Sequence, residues 1–135
     1  MKTDIFINIA VKDLQKTKTF FSTLGFTYNM QFSDEKAACM ILNEKAHVML
    51  LQENFFRGFT RKEIVNAHHS TEVLLAISAD SRENVNEFVD KAIALGATEA
   101  IDPQDHGFMF SRSFSDLDGH IWEVIWMDME SFNKG

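Results

Sequence analysis

The sequence predicts an α+β protein built from two βαβββ modules in tandem. Three observations carry that prediction. The order strand, helix, strands occurs twice; a Leu-Gly step closes each helix at the same point of its half, at Leu24-Gly25 and Leu95-Gly96; and one Pro in 135 residues leaves regular structure almost uninterrupted.

Taken in order, residues 5–11 read as a strand, and Asp13 caps a helix whose inward stripe is Leu14, Thr17, Phe20, Phe21 and Leu24. Gly25 ends it. Three strand-like runs follow, 27–32, 36–42 and 47–52, parted by the turn-prone Ser33-Asp34-Glu35 and Asn43-Glu44-Lys45. The second half opens with a strand at 72–79. Asp80 with Glu83 forms an acidic capping box, and Val85, Phe88, Val89, Ala92 and Ile93 give the next helical stripe, ended by Gly96. Strand-like runs at 98–101, 107–114 and 120–127 complete it. The modules span about 4–53 and about 72–129. Between them, 54–71 is longer than an ordinary connection and carries Phe55, Phe56, Phe59 and a predicted short helix over 60–68. It reads as a lid over a pocket, a cover on a partner chain, or a local plug.

A chain of this length buries roughly two thirds of its unfolded surface and folds as one domain without disulfide or structural metal. Thirteen Phe and seven Met suit an adaptable interior or pocket. A net charge of -7 with no basic run removes the footprint that phosphate backbones and anionic membranes require, so neither nucleic acid nor membrane is an expected partner. The apolar amino terminus is too short to span a bilayer and lacks a small-residue cleavage site. The single Cys39 lies in an alternating run, which predicts a reduced, buried thiol and a cytoplasmic protein.

The chemical lead is Glu123. After the Asp118-Gly119 turn, strand alternation puts Ile121, Glu123, Ile125 and Met127 on one face and Trp122, Val124 and Trp126 on the other. An acid in an apolar row is paired, protonated or bound to something. Arg112, between Ser111 and Ser113 on the preceding strand, is the candidate partner, or a receiver for an anionic ligand. Among five histidines, His106 in a turn is the candidate for a pocket mouth, His68 and His69 read as surface or hinge residues, His120 as a turn cap and His47 as a solvent-facing strand end. There is no Gly-rich phosphate loop, no Gly-x-Ser-x-Gly elbow and no pair of His at zinc-motif spacing.

Val11-Lys-Asp-Leu14 ahead of Phe20-Phe21, Leu24-Gly25-Phe26, and Asp116-Leu-Asp-Gly-His-Ile-Trp-Glu123 together resemble the vicinal oxygen chelate superfamily of glyoxalases, extradiol dioxygenases, fosfomycin-modifying enzymes and bleomycin-binding resistance proteins. The resemblance covers nearly the whole chain, and is nearest to bacterial glyoxalase-like proteins of mostly unassigned chemistry. It implies paired, curved mixed sheets with helices on the convex side, a homodimer, and, in metal-dependent members, a divalent ion on the concave face. The matching ligand positions here are Phe6, Leu50, Leu74 and Glu123, and only the last is a donor. A one-residue slip brings Ile5, Ile7, Met49, Leu51, Val73 or Leu75, with Asn8, Gln52 and Glu72 the nearest polar residues.

The expectation is therefore a protein without a metal or other cofactor that binds a small, largely apolar ligand through Phe6, Asn8, Leu50, Leu74, Arg112 and Glu123. Two alternatives stand beside it. One is a glyoxalase-like lyase or isomerase with Glu123 as general base and His106 or His68 as second proton carrier; the other is a protein whose aromatic connecting segment serves assembly alone.

Overall fold

The computed structural model describes residues 1–130. They form a mixed α+β structure that divides into two compact units, 1–65 and 66 onward.

The first unit runs β1 (Ile5–Val11), α1 (Leu14–Thr23), β2 (Thr27–Asn29), β3 (Ala37–Asn43), β4 (Ala46–Gln52) and α2 (Glu53–Phe56). Its sheet has the order β1-β4-β3-β2, with β1 parallel to β4 and the other pairs antiparallel. α1 starts where predicted: the Asp13 carboxylate accepts from Lys16 N at 3.1 Å, supplying one of the acceptors that a first turn lacks. Leu14, Thr17, Phe20 and Phe21 of its stripe are buried, with the Phe20 and Phe21 rings edge to face at 4.9 Å. Tyr28 of β2 donates its hydroxyl to Lys18 O of α1, which marks the face of this sheet that α1 covers. Burial pushes that phenol's pKa up to about 12.

The second unit runs β5 (Leu74–Ser78), α3 (Arg82–Ala94), β6 (Thr98–Glu99), β7 (Gln104–Asp105), β8 (Met109–Ser115) and β9 (Ile121–Met127). Its order is β5-β9-β8-β6 with β7 also on β8; β5 is parallel to β9 and the other pairs are antiparallel. This is the arrangement of the first unit repeated. Val85, Val89 and Ala92 of α3 are fully buried, and Phe88 lies 6.1 Å from Phe114 of β8, ring centre to ring centre.

Four local predictions are corrected. β2 stops at Asn29 and a 3-10 turn covers Met30–Phe32, because the Asn29 side chain accepts from Gln31 N and its carbonyl takes the Ser33 hydroxyl. The helix predicted over 60–68 does not form. Helical turns come earlier, in α2 and a 3-10 turn at Arg57–Phe59, where Phe55 meets Phe59 edge-on at 5.2 Å; beyond them, Thr60 Oγ1 accepts from Lys62 N and Asn66 Oδ1 from His68 N, so side chains take the donors a helix would use. The cap of α3 is Ser81, accepting from Asn84 N, one residue after Asp80. The run at 107–114 starts with a turn instead of a strand, since Arg82 donates to both Asp105 oxygens and to Gly107 O, each at 2.8 Å, and rests 5.2 Å from the rings of Phe110 and Trp126. Those bonds hold the Asp105 carboxyl well below the usual carboxylate range.

Candidate functional site

β9 has the alternation expected of it, and its neighbours' register shows what surrounds Glu123. Trp122 and Val124 are buried beneath α3 with Phe114. On the other face Glu123 pairs across to Ala76 of β5 and Ser113 of β8, with Ile121 and Ile125 above and below it in its own strand. Leu74 and Ser78 lie diagonally on one side, Ser111 and Ser115 on the other. The lone acid thus sits between a short apolar strand and a ladder of three hydroxyls. Ser113 is buried, its Oγ accepting from Ile101 N at 3.3 Å. Glu123 is part-buried, and among the described residues its carboxylate has no hydrogen-bond or ion-pair partner.

Arg112 does not fill that role. It pairs with Val124, so it projects from the face that α3 covers, where its guanidinium donates to Asp90 at 2.8 Å, Asn86 at 3.1 Å and Glu99 at 3.2 Å. A residue adjacent to Ser113 cannot share a face with Glu123, because successive strand side chains point opposite ways. The cation is a strut between α3, β6 and β8. Arg112→Met is expected to cost about 1–2 kcal/mol of stability, since both acids remain solvated when the cation goes. It should leave ligand affinity at Glu123 unchanged; urea denaturation and a binding titration check the two halves of that statement.

His106 lies in the β7–β8 turn, exposed, with its backbone N–H on Met109 O. Along β8 that is roughly 13 Å or more from the Ser113–Glu123 pair. It is not a second proton carrier for Glu123 in this arrangement. The backbone of His68 rests against the Asp118-Gly119 turn.

In the first unit Phe6 and Asn8 share a face of β1, as expected, with Ala10. Leu50 is not on it. β4 pairs Phe6 with His47, Asn8 with Met49 and Ala10 with Leu51, so Leu50 belongs with Ile9 and Val48 on the face toward α1 and is wholly buried. By position Met49 is the residue that corresponds to Glu123: Asn8 and Ala76 each precede a helix cap by five residues, at Asp13 and Ser81, and their cross-strand partners are Met49 and Glu123. His47 is also corrected. It is buried, its ring stacked on Phe6 at 4.6 Å and 10°, and its Nδ1 has no hydrogen-bond partner among the described residues. Cys39 is buried as predicted, and burial pushes its thiol up.

Sequence reasoning passed over the serine ladder, although Ser111-x-Ser113-x-Ser115 is a legible period-two pattern. It also passed over Asp116. That carboxylate is buried and accepts from Asp118 N at 2.9 Å, His120 N at 3.0 Å and the Trp122 indole N–H at 3.0 Å, holding the turn from which β9 starts. The Asp-x-Asp-Gly string was the signal for it.

The family model for the Glyoxalase/Bleomycin resistance protein/Dioxygenase superfamily matches residues 5–124. The chain belongs to this superfamily. No curated protein matches it. Among solved structures, a hypothetical protein from S. aureus has 24% identity and a TM-score of 0.78, covering 93% of this chain and 95% of its own. A glyoxalase/bleomycin resistance protein/dioxygenase family enzyme from Burkholderia phytofirmans has 17% identity and a TM-score of 0.75, covering 90% and 96%. The genomically encoded fosfomycin resistance protein of Listeria monocytogenes has 22% identity and a TM-score of 0.69, covering 96% and 97%. At these identities the likeness is one of fold.

The residues of this glyoxalase-superfamily chain do not fit the divalent ion that metal-dependent members hold. Such ions need three or more N, O or S donors converging on one point. The matching positions carry Phe6, Leu74 and, in β4, Met49 in place of Leu50, with Glu123 alone as a hard donor. Among the described residues no group of three His, Cys, Asp or Glu is placed to hold a metal. No helix among them is long and apolar enough to cross a membrane.

Proposed function

We propose that this superfamily member is a cytoplasmic, metal-independent small-molecule binder, working as a homodimer, whose ligand lies on the open face of the second sheet. One observation carries the reading: Glu123 is a part-buried carboxylate with no partner among the described residues, between Ile121 and Ile125 and opposite Ser113. Desolvating a carboxylate without an offsetting bond is unfavourable, so a ligand that brings an N–H, O–H or cationic group to Glu123 recovers that cost. Ile121, Ile125 and the exposed Leu74 supply apolar surface for its body. A few polar handles on an apolar ground is the usual make-up of small-ligand surfaces. Bleomycin resistance proteins are among the members that the superfamily's name gives, and holding a ligand requires no reacting metal.

Elemental analysis of the purified protein and melting curves with Mn²⁺, Ni²⁺ and Zn²⁺ test the metal-independent half. Neither tightly held metal nor a rise in Tm is expected; stoichiometric metal with a rise of several degrees refutes it. For the site, a fragment screen by amide NMR should give shifts concentrated on β8 and β9. Glu123→Gln should weaken the best cationic or donor-bearing hit at least tenfold, about 1.4 kcal/mol, with an unchanged melting profile. Equal affinity in the variant removes Glu123 from the site. Turnover of a hemithioacetal that vanishes in Glu123→Gln would make the protein a lyase instead.

A further inference from the structure

Away from Glu123, the first unit contains a cavity of about 490 Å³ where β1 and β4 end, lined by Lys12, Lys36, Gln52, Glu53, Asn54 and Phe55. That volume falls within the range of about 300–1,000 Å³ typical of small-ligand pockets. Its polar lining is nearly all donor. Gln52 Oε1 accepts from Leu14 N at 3.4 Å and Asn54 Oδ1 from Arg57 Nη1 at 2.7 Å, which engages the oxygen of each amide, whereas neither NH₂ group has an acceptor among the described residues. The Lys36 ammonium has no ion-pair partner among the described residues, and Lys12 brings a second positive charge. The one acid of the lining, Glu53, has its carboxylate 3.7 Å from Arg57. Two ammonium groups and two amide NH₂ groups thus line one cavity, in a chain whose net charge is -7. With two cations against one acid that Arg57 shares, the lining carries a positive balance and an excess of donors, which favours an oxyanion.

We propose that this cavity is a second ligand site, for a small organic anion whose phosphate or carboxylate lies on Lys12 and Lys36 and whose body lies along Phe55. The proposal does not rest on the Glu123 reading. Phenyl phosphate, benzoate and the neutral benzyl alcohol are suitable probes for calorimetric titration at low salt, with NMR observation of the side-chain NH₂ groups of Gln52 and Asn54. At least one of the two anions should bind with a Kd of about 1 mM or tighter and shift both NH₂ pairs, and the preferred anion tells phosphate from carboxylate. Benzyl alcohol should do neither. The double variant Lys12→Gln/Lys36→Gln should lose at least tenfold in affinity while its backbone amide spectrum stays that of the folded protein, and Glu123→Gln should bind as the wild type does. Failure of both anions to saturate the wild type, equal affinity in the lysine variant, or NH₂ shifts with benzyl alcohol would each overturn the site.

Discussion

Asp116→Ala is expected to destabilise the protein by about 3 kcal/mol or more. The substitution removes the acceptor for three donors at once, two turn amides and the indole N–H of Trp122, itself almost wholly buried. Stranding buried donors costs far more than a hydrogen bond contributes on average. Equilibrium unfolding in urea, followed by tryptophan fluorescence, checks the value; a loss below about 1 kcal/mol would mean that the turn closes without its carboxylate. The same group has a pH signature. Burial, opposed by the charge of His120 and by the Trp122 and Asp118 N–H groups, raises its folded-state pKa above the ordinary 3.8. A carboxyl raised on folding favours the folded state in its protonated form. Its contribution is therefore fully present below the unfolded pKa and lost as pH rises through the folded value. The Tm advantage of the wild type over Asp116→Asn should accordingly widen as pH falls from 7 toward 4, and an advantage that narrows over that interval would contradict the raised value.

Gly119→Ala should be about as damaging, for a steric reason. Gly119 sits at φ +89°, and a Cβ there would fall 2.7 Å from Ala67 C and His68 N and 2.9 Å from Ala67 O. The left-handed backbone alone costs a side chain about 1–2 kcal/mol, and driving a Cβ into main-chain atoms adds about 1–3 kcal/mol. A total near 3 kcal/mol is expected from thermal and urea unfolding. Gly25→Ala separates the two causes, because Gly25 has φ +110° with none of the described residues within 4 Å of an added Cβ. It should lose only the conformational part. Equal losses at the two glycines would show that the contact between the turn and residues 67–68 yields easily.

Gly119 and Glu123 belong to a single string of sequence that was the most legible part of the chain, although the role of Asp116 at its start went unread. Asp118-Gly119 announces a turn with a left-handed residue, and the period-two run after it announces a strand with an acid in an apolar row. The tandem βαβββ order, the Asp13 cap, both helical stripes apart from the exposed Ile93, and the superfamily were legible for the same reason. Each rests on local spacing, and the spacing of polar and apolar residues is a property of the chain itself. Errors came where side-chain hydrogen bonds compete with regular structure, as at Asn29, Thr60 and Asn66. They came also where one residue of register decides a face, as at Leu50.

By itself, then, the sequence determined the main strands and the two long helices, their order, the family and the isolation of Glu123 in its own strand. Only the tertiary structure decided which face of each sheet a helix covers and which residues of neighbouring strands stand opposite one another. That decision turned Arg112 into a strut for α3, sent Leu50 under α1, buried His47 against Phe6 and set Ser113 across from Glu123. The reason is physical. Alternation along a strand fixes parity within that strand, but the parity between strands depends on register, and register is selected by burying one face of the whole sheet against a distant helix.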